Sequence, residues 1–364
     1  MKTMPAVTSM LIAIVLAAGC SDNGPELTTV ELTVMTRNVY VGADIDQIIL
    51  AQTPEEFVLR VVEQWQMLQA TNFDERADAL ADEIAEARPD LVGLQEVTRF
   101  RIQSPGDAVI GGTVPAETEY LDFLTVLQAK LAERGLSYVV AGSVANFDVE
   151  VPLATSETTF NDIRLTDYDV LLARSDVGIS SVAAANYQAT LPVTTPGGGA
   201  LELKRGWIAA TATIGGVSFR FVTTHLEPAD YTDLVQAAQL AELQQLLAPE
   251  TRPLILVGDL NSESDGSGTP TYAALRAAGF EDVFELDATP DGDGMTCCHA
   301  LDLRNASVNF TKRIDHILLR NAVEPPEVDA WVVGDELGDR TPSGLWPSDH
   351  AGVVAVLRYT LQGN

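Results

Sequence analysis

Two polar residues directly follow an apolar run in the stretch RPLILVGDLNSESDG, residues 252–266. The run from Leu254 to Val257 is typical of a strand that is buried on both faces. Asp259 and Asn261 come next, two residues apart, and the alternation of side chains along an extended chain predicts that both lie on the same side. A carboxylate accepts hydrogen bonds and a carboxamide donates them, so the pair predicts a polar site where this strand ends.

Polar residues of types that bind metals and transfer protons also stand at the ends of five other apolar runs. Each has an ordinary structural explanation when taken alone, such as a turn cap or a histidine satisfied in the core. As a set they have complementary chemistry, and strand ends converge in α/β folds, so residues far apart in sequence can meet there. The runs are ELTVMTRN with Asn38, LVGLQEV with Glu96, FRFVTTHLEP with His225, KRIDHILL with Asp315 and His316, and WPSDHAGVVAVL with Asp349 and His350.

Amphipathic helices alternate with short apolar strands, which predicts a mixed sheet system covered by helices. Helices are predicted for NFDERADALADEIAEARPD, which stops at Pro89, for AETEYLDFLTVLQAKLAERG, which stops at Gly135, and for DYTDLVQAAQLAELQQLLAP, with Asp230 as N-cap. GWIAATATIGGVSFRFVTTHL is predicted to form a hairpin that turns at Gly215 and Gly216, and RIDHILLR, DAWVVG and GVVAVLRY indicate later strands. The sequence shows no repeat or linker after residue 30, which indicates one domain.

The chain of 364 residues carries a net charge of −30, from 22 lysines and arginines against 52 aspartates and glutamates. A general nucleic-acid binder neutralises phosphates with a basic face, so this composition argues against that function, although a local basic groove is compatible with it. The charge is more typical of an exported protein that stays soluble in its surroundings.

The first residues are typical of a targeting segment. Lys2 supplies a positive charge, and residues 10–19, MLIAIVLAAG, form an apolar run too short to span a bilayer. The small residues before Cys20 resemble a bacterial lipoprotein signal, in which the cysteine becomes the lipid-bearing first residue; simple secretion is the alternative. We therefore predict an exported protein, anchored to a membrane in the periplasm or at the cell surface or else secreted, with a signal peptide over residues 1–19, a tether with lipidated Cys20 over residues 20–30, and a folded domain over residues 31–364.

The two remaining cysteines, Cys297 and Cys298, are adjacent. Neighbouring Cα atoms lie about 3.8 Å apart, closer than disulfides prefer, so a bridge between them would be strained and reducible. Because His299 follows them, binding of a metal by the two cysteines is an alternative interpretation. The favoured interpretation is a loop feature without a catalytic role.

With these motifs the chain resembles the endonuclease/exonuclease/phosphatase superfamily, which includes deoxyribonuclease-I-like nucleases, exonuclease-III-like repair enzymes, neutral sphingomyelinases and inositol-phosphate phosphatases. The resemblance covers roughly residues 31–360 and depends on six motifs in the family's order: MTRN, LVGLQEV, TTHL, VGDLN, RIDHILL and SDH. Each motif is weak alone, and six in sequence form a specific match. The resemblance implies that the folded domain is catalytic, with an α/β fold, a four-layer α-β-β-α sandwich of two packed mixed sheets, and an active site at one end.

The resemblance also implies a divalent cation, Mg²⁺, with Mn²⁺ or Ca²⁺ as alternatives because oxygen ligands accept all three. A cation on the phosphoryl oxygens offsets the negative charge that protects a phosphoester from nucleophiles. Glu96 would be the principal ligand, and Asp349 and Asn38 would assist it directly or through water.

Five further residues receive chemical roles from the same resemblance. Asp259 would hold and deprotonate the attacking water, and Asn261 would orient that group and donate to the phosphate. His350, with Asp315 fixing its tautomer and favouring its charged form, would stabilise the pentacovalent transition state. His225 would donate to the phosphate or to the leaving-group oxygen.

Some positions depart from the family's pattern. Arg37 stands where many members have an aromatic or small polar residue, and DYDVLLAR, residues 167–174, falls where nucleases often have Gly-Asn-Ala, so their phosphate contact is not carried over. The side chain of His316 is predicted to face away from the aspartate before it and to be structural. For Arg174 and Arg313, substrate contact and structural pairing both remain open.

Three functions remain open from the sequence. The first is Mg²⁺-dependent hydrolysis of a phosphodiester or phosphomonoester, phospholipid head groups included, by a membrane-tethered enzyme outside the cytoplasm. The second is a secreted or surface deoxyribonuclease, against which the net charge of −30 counts. The third is a lipoprotein that keeps the fold as a non-catalytic binding module. Substrate choice depends on loops, and the variable segments 98–120, 143–166 and 262–312 contain no motif that decides it.

Overall fold

The structure, a computed structural model, describes residues 27–194, 200–229, 232–322 and 324–362, so Cys20 and the predicted signal peptide lie outside it. The strands of this part, numbered in chain order, are β1 Leu27–Asn38, β2 Leu91–Gln103, β3 Thr118–Asp122, β4 Tyr138–Ala154, β5 Phe160–Arg174, β6 Gly178–Asn186, β7 Leu191–Thr194, β8 Ala200–Leu203, β9 Gly206–Ile214, β10 Val217–His225, β11 Leu254–Asp259, β12 Glu281–Asp282, β13 Asp315–Arg320, β14 Glu327–Val333 and β15 Gly352–Gln362.

The α-helices of the same part are short or of medium length. They are α1 Ile45–Ile49, α2 Pro54–Ala70, α3 Phe73–Ala87, α4 Phe123–Glu133, α5 Asp233–Leu247, α6 Thr271–Ala277 and α7 Val283–Leu286. Two 3₁₀ turns occupy Ala108–Ile110 and Leu337–Asp339. Among the described residues, no helix combines the length and the apolar character that crossing a membrane requires.

Two mixed sheets pack face to face. The strand order of the first is β14-β15-β1-β2-β5-β4, with β3 paired to β2, and that of the second is β12-β13-β11-β10-β9-β6. β1 runs parallel to β2, and β10 runs parallel to β11, whereas β15 and β13 are antiparallel to their partners β1 and β11. β7 and β8 form a separate two-stranded ribbon.

Three apolar layers hold the sheets and helices together. The layer between the sheets contains side chains such as Val257. The helices α2, α3 and α4 cover the outer face of the first sheet through residues such as Leu80, and α5 and α6 cover the second through residues such as Leu243. The predicted four-layer α-β-β-α sandwich of two mixed sheets is confirmed.

The second predicted helix is shorter than the sequence pattern indicated. It begins only at Phe123, because Thr118–Asp122 pairs with β2 as an edge strand. Asp122 ends the strand and caps the helix by accepting a hydrogen bond from the Thr125 N–H at 3.1 Å. The apolar pattern of the helix extends into the strand, so periodicity alone did not reveal the boundary.

The other predicted elements agree with the structure. α3 ends before Pro89, and β9 and β10 form the predicted hairpin around Gly215 and Gly216. Thr232 caps α5 by accepting from the Leu234 N–H, whereas Asp230, the predicted cap, lies outside the described residues.

Arg37, which departs from the family's pattern, is buried in a bidentate ion pair with Glu83 of α3. Arg37 Nε and Nη2 donate to Glu83 Oε2 and Oε1 at 2.9 and 2.8 Å. Its Nη1 donates to the backbone carbonyl of His350. Arg37 therefore ties β1, α3 and the segment before β15 together.

Replacing Glu83 with glutamine is expected to lower the free energy of unfolding by about 3 kcal/mol, because the Arg37 charge stays buried without its partner. Urea denaturation measures the change. Glu86→Gln, at an exposed position on the same helix, is the matched control and should shift stability by less than about 0.5 kcal/mol. Equal stability of the two variants would contradict the structural role of this pair.

Candidate active site

The polar residues of the six motifs gather at one end of the sandwich. The parallel pairs β1/β2 and β10/β11 bring their carboxyl ends there, and the antiparallel strands β13 and β15 begin there. An open cleft of about 310 Å³ lies at this end, and the predicted site residues that line it are Glu96, His225, Asp259, Asn261, Asp349 and His350. Asn38 and Asp315 are buried behind them and reach the cleft residues through hydrogen bonds.

A β-bulge in β2 directs Glu96 into the cleft. The pairing of β2 with β5 is regular up to Leu94 and resumes at Val97, and Glu96 between them has a φ of 59°. A left-handed conformation is uncommon for a residue with a side chain, and bulges are frequent beside active sites. Glu96 Oε1 accepts from Asn38 Nδ2, and Oε2 accepts from the Val41 N–H, both at 2.9 Å. The carboxylate is thus held in place while remaining partly exposed to the cleft.

Asn38 connects the predicted metal ligand to the predicted base. Its Nδ2 donates to Glu96 Oε1 at 2.9 Å and to Asp259 Oδ2 at 3.2 Å. Its Oδ1 accepts from the Tyr40 N–H at 3.0 Å. In this structure the Asn38 amide therefore positions two carboxylates, in addition to any contact it makes with a metal.

Asp259 is buried at the last position of β11, directly opposite Asp315 in β13. Burial first, and the charge on Asp315 second, raise the pKa of Asp259 to about 7. Its Oδ1 accepts from the Asn261 N–H at 2.8 Å. A carboxylate whose pKa lies near neutrality is suited to taking a proton from water.

Asn261 enters the cleft through a turn. Its φ of 47° shows that the extended strand has ended, so the alternation of side chains does not apply to it. Its Nδ2 donates to the Leu226 carbonyl at 2.9 Å and lies 3.2 Å from His225 Nε2. Asp259 and Asn261 do line the same cleft, as predicted, but a left-handed turn produces this arrangement.

His350 and Asp315 form a buried pair. His350 Nδ1 lies 2.8 Å from Asp315 Oδ2. Burial by itself lowers the pKa of His350, but the charges of Asp315, Asp349 and Asp259 together outweigh burial and raise that pKa well above its ordinary value. The imidazole is therefore charged at neutral pH, and its Nε2 lies 3.9 Å from Asp259 Oδ2. A fixed positive charge here can stabilise negative charge that develops on a phosphate.

His225 is the neutral histidine of the cleft. Burial lowers its pKa well below the ordinary value, and the nearby charges of Arg205 and His350 lower it further. Arg205 Nη1 lies 3.1 Å from His225 Nδ1, and Arg205 Nε donates to Glu227 Oε2 at 3.1 Å. A neutral imidazole can donate one hydrogen bond to a phosphate oxygen without carrying charge of its own.

The sequence motifs missed several charged residues of the cleft, among them Lys204, Arg205 and Asp167. The described residues that line the cleft include one lysine, Lys204, and one arginine, Arg205. Burial is the main cause that raises the pKa of Asp167 to about 7. The sequence has an adjacent Lys-Arg pair both at Lys204-Arg205 and at Lys312-Arg313, so the pair by itself does not identify the two cleft cations.

Three residues that the sequence singled out lie away from the cleft. Arg174 forms an ion pair with Asp90 at 2.6 Å, and Arg313 forms one with the buried Asp282 at 2.7 Å. His316 is buried on the opposite face of the second sheet, where its Nε2 lies 2.9 Å from a backbone carbonyl. Both arginines therefore have structural pairing, and His316 faces away from the aspartate before it.

A disulfide joins Cys297 to Cys298. Cys297 also pairs with His350 through the backbone. His299 is buried between two aromatic rings, with centroid distances of 4.0 and 4.1 Å, and burial lowers its pKa to about 4. This segment forms part of the wall behind His350.

The cleft has a donor set that fits a hard divalent cation. Glu96 and Asp349 line the same cleft. Burial raises the pKa of Asp349 to about 6; the charge of Glu96 adds to this increase, and the charge of His350 opposes it. A divalent cation would offset the repulsion between these carboxylates. Carboxylate oxygens are ligands for Mg²⁺, Mn²⁺ and Ca²⁺ alike, so the residues fit the predicted ion class without choosing one member.

Comparisons with known proteins agree with this geometry. Residues 66–350 match the model of the endonuclease/exonuclease/phosphatase family, and no curated protein matches the chain. A family protein of known structure from Bacteroides thetaiotaomicron is 16% identical, with a TM-score of 0.57 over 92% of this chain and 100% of that chain. A mannosyl-6-phosphatase from the same organism is 17% identical, with a TM-score of 0.53 over 90% and 99% of the two chains. TDP2 of D. rerio, complexed with a single-strand DNA product, is 20% identical, with a TM-score of 0.51 over 90% and 98%.

At these identities the solved structures show a shared fold alone. The family model covers most of the chain and includes five of the six motifs, from LVGLQEV to SDH. The chain therefore belongs to the endonuclease/exonuclease/phosphatase family, whose members hydrolyse phosphoesters.

Proposed function

We propose that this protein is a divalent-metal-dependent hydrolase of phosphodiesters or phosphomonoesters that acts outside the cytoplasm. One observation carries the proposal: the amide of Asn38 donates both to Glu96 and to Asp259. The pKa of Asp259 is raised to about 7 by burial and by the charge on Asp315. A ligand for a cation and an acceptor for a proton thus stand side by side. Attack of water on a phosphoester needs both.

One group of cleft residues holds the phosphate. A divalent cation held by Glu96 and Asp349 would supply positive charge to the phosphoryl oxygens. Arg205 and Lys204 add positive charge to the same cleft. The neutral His225, which Arg205 contacts at 3.1 Å, donates to the phosphate or the leaving-group oxygen.

A second group of cleft residues serves the attacking water. Asp259 accepts its proton, and Asn261 orients the carboxylate through its N–H and donates to the phosphate. His350, kept charged by the aspartates around it, stabilises the negative charge that develops as water attacks. Asp315 holds the imidazole in orientation through Nδ1.

Small phosphoesters suit this cleft better than a long nucleic acid. Acidic residues, Asp44 and Asp46, line it beside Lys204 and Arg205. Binding of DNA depends on several cationic contacts to successive phosphates. The fold neighbours include both a mannosyl-6-phosphatase and a protein bound to a DNA product, so the test includes both substrate classes.

A substrate panel tests the proposal. The protein is assayed with Mg²⁺ against bis-p-nitrophenyl phosphate, p-nitrophenyl phosphate, sphingomyelin and plasmid DNA, beside an Asp259→Ala variant. We expect the wild-type protein to hydrolyse at least one of bis-p-nitrophenyl phosphate, p-nitrophenyl phosphate and sphingomyelin, and we expect Asp259→Ala to lose that activity. Faster nicking of plasmid than hydrolysis of any small ester would favour the deoxyribonuclease instead. Binding of Mg²⁺ by calorimetry with no product from any substrate would favour the non-catalytic module.

Removal of divalent ions with excess EDTA is expected to abolish hydrolysis, and added Mg²⁺ is expected to restore it. Glu96→Gln should raise the Mg²⁺ concentration needed for half-maximal rate by about tenfold or more, because a charged oxygen ligand is lost. The Mg²⁺ dependence of the initial rate measures both effects. Glu119→Gln, an exposed change on the edge strand β3, serves as the control, and full activity in EDTA would contradict metal dependence.

We propose that Cys20 carries a lipid anchor, on the basis of the apolar run and the small residues before it. Replacing Cys20 with serine is expected to move the protein from the membrane fraction to the soluble fraction of fractionated cells, with its specific activity unchanged. Immunoblotting of the fractions measures the shift. A variant that stays in the membrane fraction would contradict anchoring through this residue.

A further inference from the structure

An apolar cavity of about 70 Å³ opens beside the catalytic cleft. The two spaces share part of their walls, namely Ala43, Ile45, Ile49, Phe147 and Leu165. The cavity and the cleft are therefore adjacent, so a group bound in the cleft lies next to the cavity.

The cavity has no charged side chain among the described residues that line it. Its polar lining residue, Gln64, is already engaged, because Gln64 Oε1 accepts from the Asp44 N–H at 2.8 Å. Several apolar lining residues, such as Phe57, Ile48 and Trp65, are only half-buried. Water in such a space finds few partners, whereas an apolar ligand would cover these side chains.

The rim of the cleft indicates what kind of group enters. Asp44 and Asp46 line the cleft next to Ile45, one of the shared wall residues. Their negative charge disfavours a second phosphate on this side, and the apolar wall disfavours a sugar or other polar group. An uncharged alkyl arm meets neither penalty.

We propose that this cavity binds an alkyl arm of the substrate, so that the preferred substrate is a phosphodiester with one apolar chain. The inference rests on the proposed function and names its substrate class. The phosphate lies in the cleft at Asp259 and His350, and the chain lies between α1, α2 and the strands β4 and β5.

A pair of esters with one leaving group tests the inference. Methyl p-nitrophenyl phosphate and hexyl p-nitrophenyl phosphate differ only in the arm, and each methylene buried is worth about fourfold in binding. We expect kcat/KM of the full-length protein to be higher for the hexyl ester by about tenfold or more, which corresponds to two methylenes buried. The preference should appear at concentrations where the hexyl ester is monomeric.

Two serine variants on α2 locate the effect. Phe57→Ser alters the cavity but not the residues of the cleft, and it should reduce the hexyl-to-methyl ratio by about fivefold or more while leaving the methyl ester rate unchanged. Leu59→Ser, at a position that is 56% exposed, removes an apolar side chain from the same helix and should keep the wild-type ratio. Ile48→Ser in α1 provides a second cavity variant if Phe57→Ser does not fold.

The outcomes separate this inference from the proposed function. Equal kcat/KM for the two esters would contradict the alkyl site, as would an equal hexyl-to-methyl ratio in the cavity and control variants. Either result would still support phosphodiester hydrolysis. Hydrolysis of neither ester with Mg²⁺ or Mn²⁺ would overturn the alkyl site, and the proposed function would be overturned as well only if p-nitrophenyl phosphate and bis-p-nitrophenyl phosphate also remain unhydrolysed.

Discussion

Replacing Asp259 with asparagine is expected to lower kcat by about 10³, because the variant keeps the shape of the side chain and loses the proton acceptor. Asp259 is buried, has a pKa raised to about 7, and accepts from both Asn38 and Asn261; Asp167 also has a pKa of about 7, but only Asp259 has these two contacts. KM should change little, since the lost step follows substrate binding. Steady-state kinetics on bis-p-nitrophenyl phosphate measure both constants.

The control for this variant is Asp265→Asn. Asp265 is an exposed residue of the loop that follows the same strand, where its carboxylate accepts from the Ser267 N–H. The control should retain kcat. Retention of wild-type kcat by Asp259→Asn, with Mg²⁺ saturating, would remove Asp259 from the role of base.

Replacing His350 with glutamine is expected to lower kcat by about 10² to 10³, the loss typical of removing one preorganised group that stabilises transition-state charge. Glutamine can still donate a hydrogen bond into the cleft, but it cannot carry the positive charge that the surrounding aspartates maintain on His350. The expected loss therefore reports charge rather than the mere presence of a donor. Circular dichroism and steady-state rates check folding and activity in the same samples.

Asp315, the partner of His350, and His316, the residue after Asp315, supply the controls. Asp315 orients His350 through Nδ1 and also raises the pKa of Asp259, so Asp315→Asn combined with His350→Gln should cost more than His350→Gln alone but less than the sum of the two single losses. His316→Gln makes the same substitution on the opposite face of the sheet and should retain kcat. Additive losses in the double variant would show that Asp315 acts independently of the imidazole.

The sequence predicted much of this arrangement because strands and their ends leave local patterns. Apolar runs located β1, β10, β11, β13 and β15, and the polar residues at their ends line or underlie one cleft. The order of motifs predicted the four layers. The edge strand β3 was not predicted, because its residues continue the apolar pattern of the helix that follows.

The chemistry that was not predicted depends on contacts between distant segments. Arg205 and Lys204 belong to no motif, and only the pairing of β9 with β10 brings Arg205, which directly precedes β9, to His225. Arg37 departs from the family pattern, and its place in the sequence does not reveal its partner. The partner is Glu83 on α3, which lies 2.8 Å away and neutralises the Arg37 charge. Such long-range pairs carry no sequence spacing by which they can be recognised.

The sequence by itself determined the set of acids, amides and imidazoles, the strands that carry them and the end of each strand at which they stand. Only the tertiary structure decided how they point. Glu96 reaches the cleft through a bulge, Asn261 through a left-handed turn, and Asn38 by bridging two carboxylates. Backbone dihedrals and hydrogen bonds at strand ends depend on neighbouring strands, so they are set when the sheets pack and not by local sequence.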